Sequence, residues 1–297
     1  MKPMSFEETK SISLTEQQIS ELKKVELEML KIFISICEEN GFRYYVVGGT
    51  ALGAVRHKGF IPWDDDIDVA MPRNDYEKFM KTAQLQLPDY LFLQNIYTDP
   101  VFPMNFAKIR NSNTTFVESS CARLKMNHGI YLDIFPLDGF PANKLSEKIF
   151  LFKDRLLKKR ISNVYIIKDK LRSNLFKKII NYILLIIYPD YKKTVLKRER
   201  LLKKYSYETS KIIGNYSGAW YEKEIMPKEI FGKGTIGSFE GIQVILPEKY
   251  DEYLSRMYGN YMELPPVEKR IAHHYCDAID FEKSYLEYVK DEKICAE

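Results

Sequence analysis

The sequence predicts an α+β fold: a mixed sheet core with flanking helices and a basic helical insert. Three observations carry that expectation. Short β-branched and aromatic runs, bounded by Gly, Asn and Pro, alternate irregularly with stretches of helical apolar spacing. Residues 141–205 show helical spacing only and hold 19 basic against 5 acidic side chains. The 297-residue chain is 45% hydrophobic and 29% charged. It is long enough to bury a core without disulfides and too apolar to be disordered.

Residues 15–40 read as one amphipathic helix, with Thr15 as N-cap and Asn40-Gly41 as the stop. FRYYVV follows as a buried strand that ends on a Gly48-Gly49 turn. TALGAVRHKG starts a short helix at Thr50, and after a Pro-Trp loop DIDVAM is a strand from Asp66 to Met71. Asn74 is placed to cap a helix from Asp75 to Leu87. Further strands are expected at Tyr90–Ile96, Asn105–Asn111, Thr114–Ser119 and Gly129–Leu137. Helices fill Leu145–Tyr205. TIGSFEGIQVILP then forms a strand pair turning at Glu240-Gly241, and helices around Tyr250–Tyr258 and Phe281–Val289 finish the chain. The expected organisation is a catalytic core over 1–140, an insert over 141–205 and a completing part over 206–297.

The net charge of +4 conceals a segregation. Residues 1–140 hold 15 basic and 19 acidic side chains, net −4; the insert is +14; residues 206–297 hold 11 and 17, net −6. Such asymmetry points to an anionic partner. The insert lacks regularly interleaved stacking aromatics, which argues against nucleic acid. Its most apolar run, Ile179–Pro189, is about half the length needed to cross roughly 30 Å of hydrocarbon. Flanked by Lys177, Lys178, Lys192 and Lys193, it is either a buried helix or an interfacial one on the inner membrane face. Cys37, Cys121, Cys276 and Cys295 show no metal or disulfide spacing, and the N-terminus has no apolar leader, so a cytoplasmic location is expected.

The chemistry concentrates between Val46 and Arg73. Gly48, Gly49 and Thr50, where a strand turns into a helix, suit the approach of a phosphate to free N–H groups. Asp66 and Asp68, alternating on a strand, share one face, and such a carboxylate pair calls for a cation. Magnesium bound through carboxylates and phosphate oxygens is the usual solution, with manganese as a substitute. A third acid is needed, and Asp133, alone among apolar residues in GIYLDIFPL, is the candidate. Arg56, His57 and Lys58 are either diphosphate contacts or a solvated helix end. Arg110 is either a phosphate fork or a structural ion pair. Trp63 either stacks on a ligand or packs in the core.

YYVVGGTALGAVRHKGFIPWDDDIDVAMPRNDYEKF resembles the signature of the LicD family of phosphotransferases, nucleotidyltransferase-fold enzymes. The resemblance continues through FAKIRNSNTTFVE, GIYLDIFPLDGFP, FGKGTIGSFEGIQVILPEKYDEYLSRMYGNYMELPP and KRIAHHY, covering most of residues 40–275. It implies metal-binding acids at Asp66, Asp68 and Asp133, and a glycine turn at Gly48 and Gly49. It further implies a CDP-activated alcohol as donor, CDP-choline foremost, and a cell-surface glycan precursor as acceptor; the +14 insert adds the expectation that this acceptor is lipid-linked and met at the inner membrane face. His273 and His274 match the pattern without an assigned role. Two other readings stand beside it. A nucleotidyltransferase on a sugar or small molecule would release pyrophosphate instead of CMP. A membrane-surface binding protein would use the insert alone.

Overall fold

A computed structural model describes residues 14–122, 124–165, 183, 186, 187, 190–270 and 275–291. Lys177 and Lys178, most of the 179–189 run and His273-His274 lie outside the described residues. Helix α1 spans Glu16–Asn40. The Thr15 hydroxyl accepts the Gln18 N–H at 3.2 Å, and the Gln18 side chain accepts the Thr15 N–H at 3.0 Å, a reciprocal cap. The helix stops at Gly41, whose φ of 66° is the left-handed conformation glycine tolerates.

Six strands follow: β1 (Tyr45–Val46), β2 (Asp68–Pro72), β3 (Leu91–Gln94), β4 (Ala107–Asn111), β5 (Thr115–Glu118) and β6 (Ile130–Gly139). The main sheet runs β1-β2-β6-β4-β3 and is extended by β7 (Ile212–Gly214), which pairs with β6, and β8 (Ile225–Pro227), which pairs with β7. β2 and β6 are parallel and the other pairs antiparallel, so the sheet is mixed, as expected. All ten residues of β6 are buried, which makes it the central strand. It carries Asp133 directly between Asp68 of β2 and Lys108 of β4. α1 and α3 (Arg73–Gln86) close over this sheet through Leu30, Phe33 and Phe79, each wholly buried.

Several boundaries differ from expectation. Helix α2 spans Gly48–Arg56, so the two glycines form its first turn rather than precede it. β2 starts at Asp68, which leaves Asp66 on irregular backbone. α3 starts at Arg73 after Pro72 with no side-chain cap, so Asn74 lies inside the helix. A polar segment without strand alternation, β11 (Cys276–Asp280), pairs with β5 as a separate two-stranded sheet. Strands β9 (Thr235–Phe239) and β10 (Ile242–Leu246) turn where expected. Glu240 (φ 48°) and Gly241 (φ 79°) both take the positive φ of a tight hairpin. The hairpin tip holds the loop after α2: Glu240 Oε1 accepts the Phe60 N–H and the Glu240 N–H reaches the Lys58 carbonyl, both at 2.9 Å.

The insert contributes α4 (Lys144–Tyr165) and α5 (Tyr191–Leu202), packed against each other. Arg198 of α5 donates to Asp154 of α4 at 2.8 Å, to Asn105 at 3.0 Å and to the Tyr216 carbonyl at 2.7 Å. That buried node ties both helices to the sheet domain. α6 (Tyr250–Tyr258) and α7 (Tyr285–Asp291) complete the described helices. Among the described residues no helix is long and apolar enough to cross a membrane.

Candidate active site

Asp64, Asp66, Asp68 and Asp133 line one cleft of about 870 Å³, together with Gly48, Gly49, Arg56 and Trp63. Asp68 and Asp133 are register neighbours on parallel strands, which sets their side chains on one face. Asp66 reaches the cleft from the loop ahead of β2, not by strand alternation. Asp64, Asp65 and Asp66 offer ligand atoms within 4.8 Å of one another. Asp64 and Asp65 had no separate role in the sequence reading; the DDD run was the signal that could have supplied one.

α2 is fitted onto these acids. Gly48 has φ 57°, its N–H donates to the Tyr253 hydroxyl at 2.9 Å, and a Cβ there would lie 2.8 Å from Asp68 Oδ2. A Cβ at Gly49 would overlap Asp64 Oδ2. The close approach of helix and carboxylates therefore requires glycine at both positions. Thr50 is buried under the site and its Oγ1 accepts the Asp68 N–H at 2.9 Å, so it positions Asp68 and does not line the cleft.

Asp133 is buried, and Lys108 Nζ lies 3.0 Å from its Oδ1. The contact is an ion pair that falls outside good hydrogen-bond geometry. Burial pushes the Asp133 carboxyl up to about 6; the Lys108 ammonium opposes this, and Glu118 and Asp66 add to it. Lys108 also sits 3.2 Å from Glu118 and over the Tyr131 ring. Its position, alternating with Arg110 along FAKIRN, was a readable sign of a shared face.

The opposite wall comes from residues 215–224 and from α6. Asn215 Oδ1 accepts the Ser217 and Gly218 N–H groups at 3.1 and 3.0 Å, and Glu224 Oε1 accepts the Trp220 N–H at 3.0 Å. Burial pushes the Glu224 carboxyl up to about 7. Ser217 Oγ is buried with no partner. Burial, with Tyr253, Asp64, Asp68 and Asp66 nearby, raises the pKa of the Tyr258 phenol well above its ordinary value. Sequence reasoning missed the 215–224 part of this wall, since it lies more than a hundred residues from the acidic loop and carries no motif.

The remaining expected residues divide. Arg56 lines the cleft, and its Nη1 donates to the Tyr261 and Glu263 carbonyls at 2.6 and 3.2 Å. Trp63 lines the cleft while packing on the core, with the Arg270 guanidinium 5.5 Å over its ring. Lys58 is exposed, at φ 62°, and does not line the cleft. Arg110 is a correction to the phosphate-fork expectation. It is wholly buried outside the cleft and donates to Gln94 (2.8 Å), the Gly129 carbonyl (2.8 Å) and Glu118 (2.7 Å), leaving no fork for a ligand. Its other expected role, a structural ion pair, is the one observed.

The three carboxylates that converge, Asp64, Asp65 and Asp66, form an all-oxygen donor set that suits a hard divalent cation, and Asp68 and Asp133 line the same cleft outside that cluster. A mixed sheet with acids on adjacent strands, faced by a glycine-led helix, is the architecture of nucleotidyltransferase-fold enzymes. A family model described as LicD/FKTN/FKRP, nucleotidyltransferase domain, matches residues 41–155. The lipopolysaccharide cholinephosphotransferase LicD of Haemophilus influenzae is 31% identical over 280 residues, spanning 91% of this chain and 98% of the relative. The human ribitol 5-phosphate transferase FKRP is 40% identical over 48 residues, 16% of this chain and 10% of its own. The chain belongs to the LicD family and is a phosphotransferase of that family.

Proposed function

We propose that the protein transfers phosphocholine from CDP-choline to a hydroxyl of a cell-surface glycan precursor and releases CMP. The convergence of Asp64, Asp66, Asp68 and Asp133 on one cleft carries this reading, in a chain similar over nearly its whole length to a cholinephosphotransferase. Asp66, Asp68 and Asp133 would hold the divalent cation, magnesium or manganese, with Asp64 beside them. When bound, the cation supplies charge neutralisation at the diphosphate. Gly48 and Gly49 let the diphosphate approach the start of α2, whose dipole favours it. Trp63 and Arg56 bound the donor on the same side.

The acceptor oxygen forms its bond to the phosphorus bearing choline. The bond from that phosphorus to the bridging oxygen breaks, and CMP leaves with that oxygen. Asp133 takes the hydroxyl proton on whichever of its oxygens is not given to the cation. Positioning in a walled cleft supplies most of the rate. The acceptor is lipid-linked and the enzyme works in the cytoplasm, against the inner membrane face; nucleic acid is not a partner.

The test is a donor screen with CDP-choline, CDP-ribitol and CDP-glycerol in magnesium. CMP release is expected to be greatest with CDP-choline. Pyrophosphate release from a nucleoside triphosphate, with no CMP from any of the three, would overturn the reading.

A further inference from the structure

α4 has two faces of opposite character. Phe150, Asp154, Leu157 and Ile161 recur at helical spacing and are buried. Across the helix, Leu145, Ile149 and Phe152 are 69%, 46% and 64% exposed. At the helical turn angle these three fall within about 60° of arc, roughly 140° from the buried row. Lys148 and Lys159 border the row, with Arg155 beside them in an ion pair with Glu222. The two acids of α4 lie elsewhere: Asp154 in the buried row and Glu147 beside it.

A single exposed leucine needs no explanation, but three large apolar side chains on successive turns of one face do. The row stands in the +14 segment, where Ile186 and Ile187 are also exposed. An apolar stripe edged with cations is the pattern of a helix lying in a lipid headgroup layer. A second copy of the chain is a poor occupant, because a two-fold contact would set each basic border against itself.

We propose that the Leu145–Ile149–Phe152 face of α4 docks the enzyme on an anionic lipid bilayer. The docking deepens the reading of a membrane-borne acceptor and gives it a surface. The contact itself is measured without donor or acceptor, so the two can fail separately.

The experiment floats the full chain with vesicles of phosphatidylglycerol and phosphatidylcholine, and with phosphatidylcholine alone. The wild type is expected to float with the anionic vesicles and to be released by salt. The Leu145→Glu/Ile149→Glu/Phe152→Glu variant and the Lys148→Glu/Lys159→Glu variant should each lose about tenfold or more of that partition. Both should keep CMP release from CDP-choline in vesicle-free buffer within about twofold of wild type, since neither set lines the cleft. A wild type that stays off anionic vesicles, or variants that float as it does, would overturn the proposal. So would an apolar variant whose only change is from dimer to monomer. Flotation without any CMP release would count against the transferase reading and leave the docking surface standing.

Discussion

Strand β6 carries two buried aspartates with opposite fates. Asp138 is 1% exposed and meets Arg73 in a fork, with Nε and Nη2 at 2.7 and 2.6 Å from its two oxygens. Asp133, five residues earlier and so on the other face, is 6% exposed. It has a lysine ion pair at 3.0 Å that falls outside good hydrogen-bond geometry, and a cleft in front of it. Burial is nearly the same; what differs is whether the lone pairs are filled. A carboxylate closed by a guanidinium belongs to the fold. One left partly open lines a cleft with Asp66 and Asp68, which is the ground for the role proposed for it.

That contrast can be broken most sharply by amide substitution. Asp133→Asn and Asp68→Asn should each cut CMP release by about a hundred- to a thousandfold, while the thermal midpoint holds or rises, because the amide at 133 removes a buried charge and Lys108 keeps Glu118 as its partner. Asp138→Asn should do the reverse. Stranding Arg73 should cost about 3–5 kcal/mol in urea unfolding, with activity per folded molecule kept within a few-fold. Gly49→Ala should lower turnover by about ten- to a hundredfold through displacement of Asp64, with the fold retained by circular dichroism.

The smallest expected effect is on pH dependence. His128 is buried with Nδ1 unpartnered, and burial, helped by Arg110, lowers its pKa to about 4. The unfolded chain binds this proton near 6.5 and the folded one resists it, so stability is lost as pH falls from about 6.5 to about 4. His128→Gln should flatten that part of the unfolding profile. An unchanged slope would mean that other groups set it.

The acids were legible because chemistry left few other uses for them. Asp133 stood alone in an apolar strand, and Asp66 and Asp68 stood two apart beside Ile67 and Val69. The α1 caps, the β9–β10 turn and α6 were legible from local rules. β11 was not, because its pairing with β5 is set by tertiary contact and CDAID shows no alternation. Arg110 could be read both ways, since a strand arginine facing inward looks alike whether its partner is a phosphate or Glu118. The 215–224 wall was illegible because only folding brings it across from the acidic loop. The basic insert was conspicuous by charge, but its apolar row emerged only once Phe150 and Leu157 had fixed which side of α4 faces inward.

The most direct measurement follows CMP release and phosphocholine appearance on the acceptor together, in magnesium, for the wild type and for Asp133→Asn. The two products should rise one to one with the wild type and be nearly absent with the variant. A variant that turns over as the wild type does, or CMP formed without phosphocholine on the acceptor, would contradict the assignment of Asp133 and its neighbouring aspartates to the transfer.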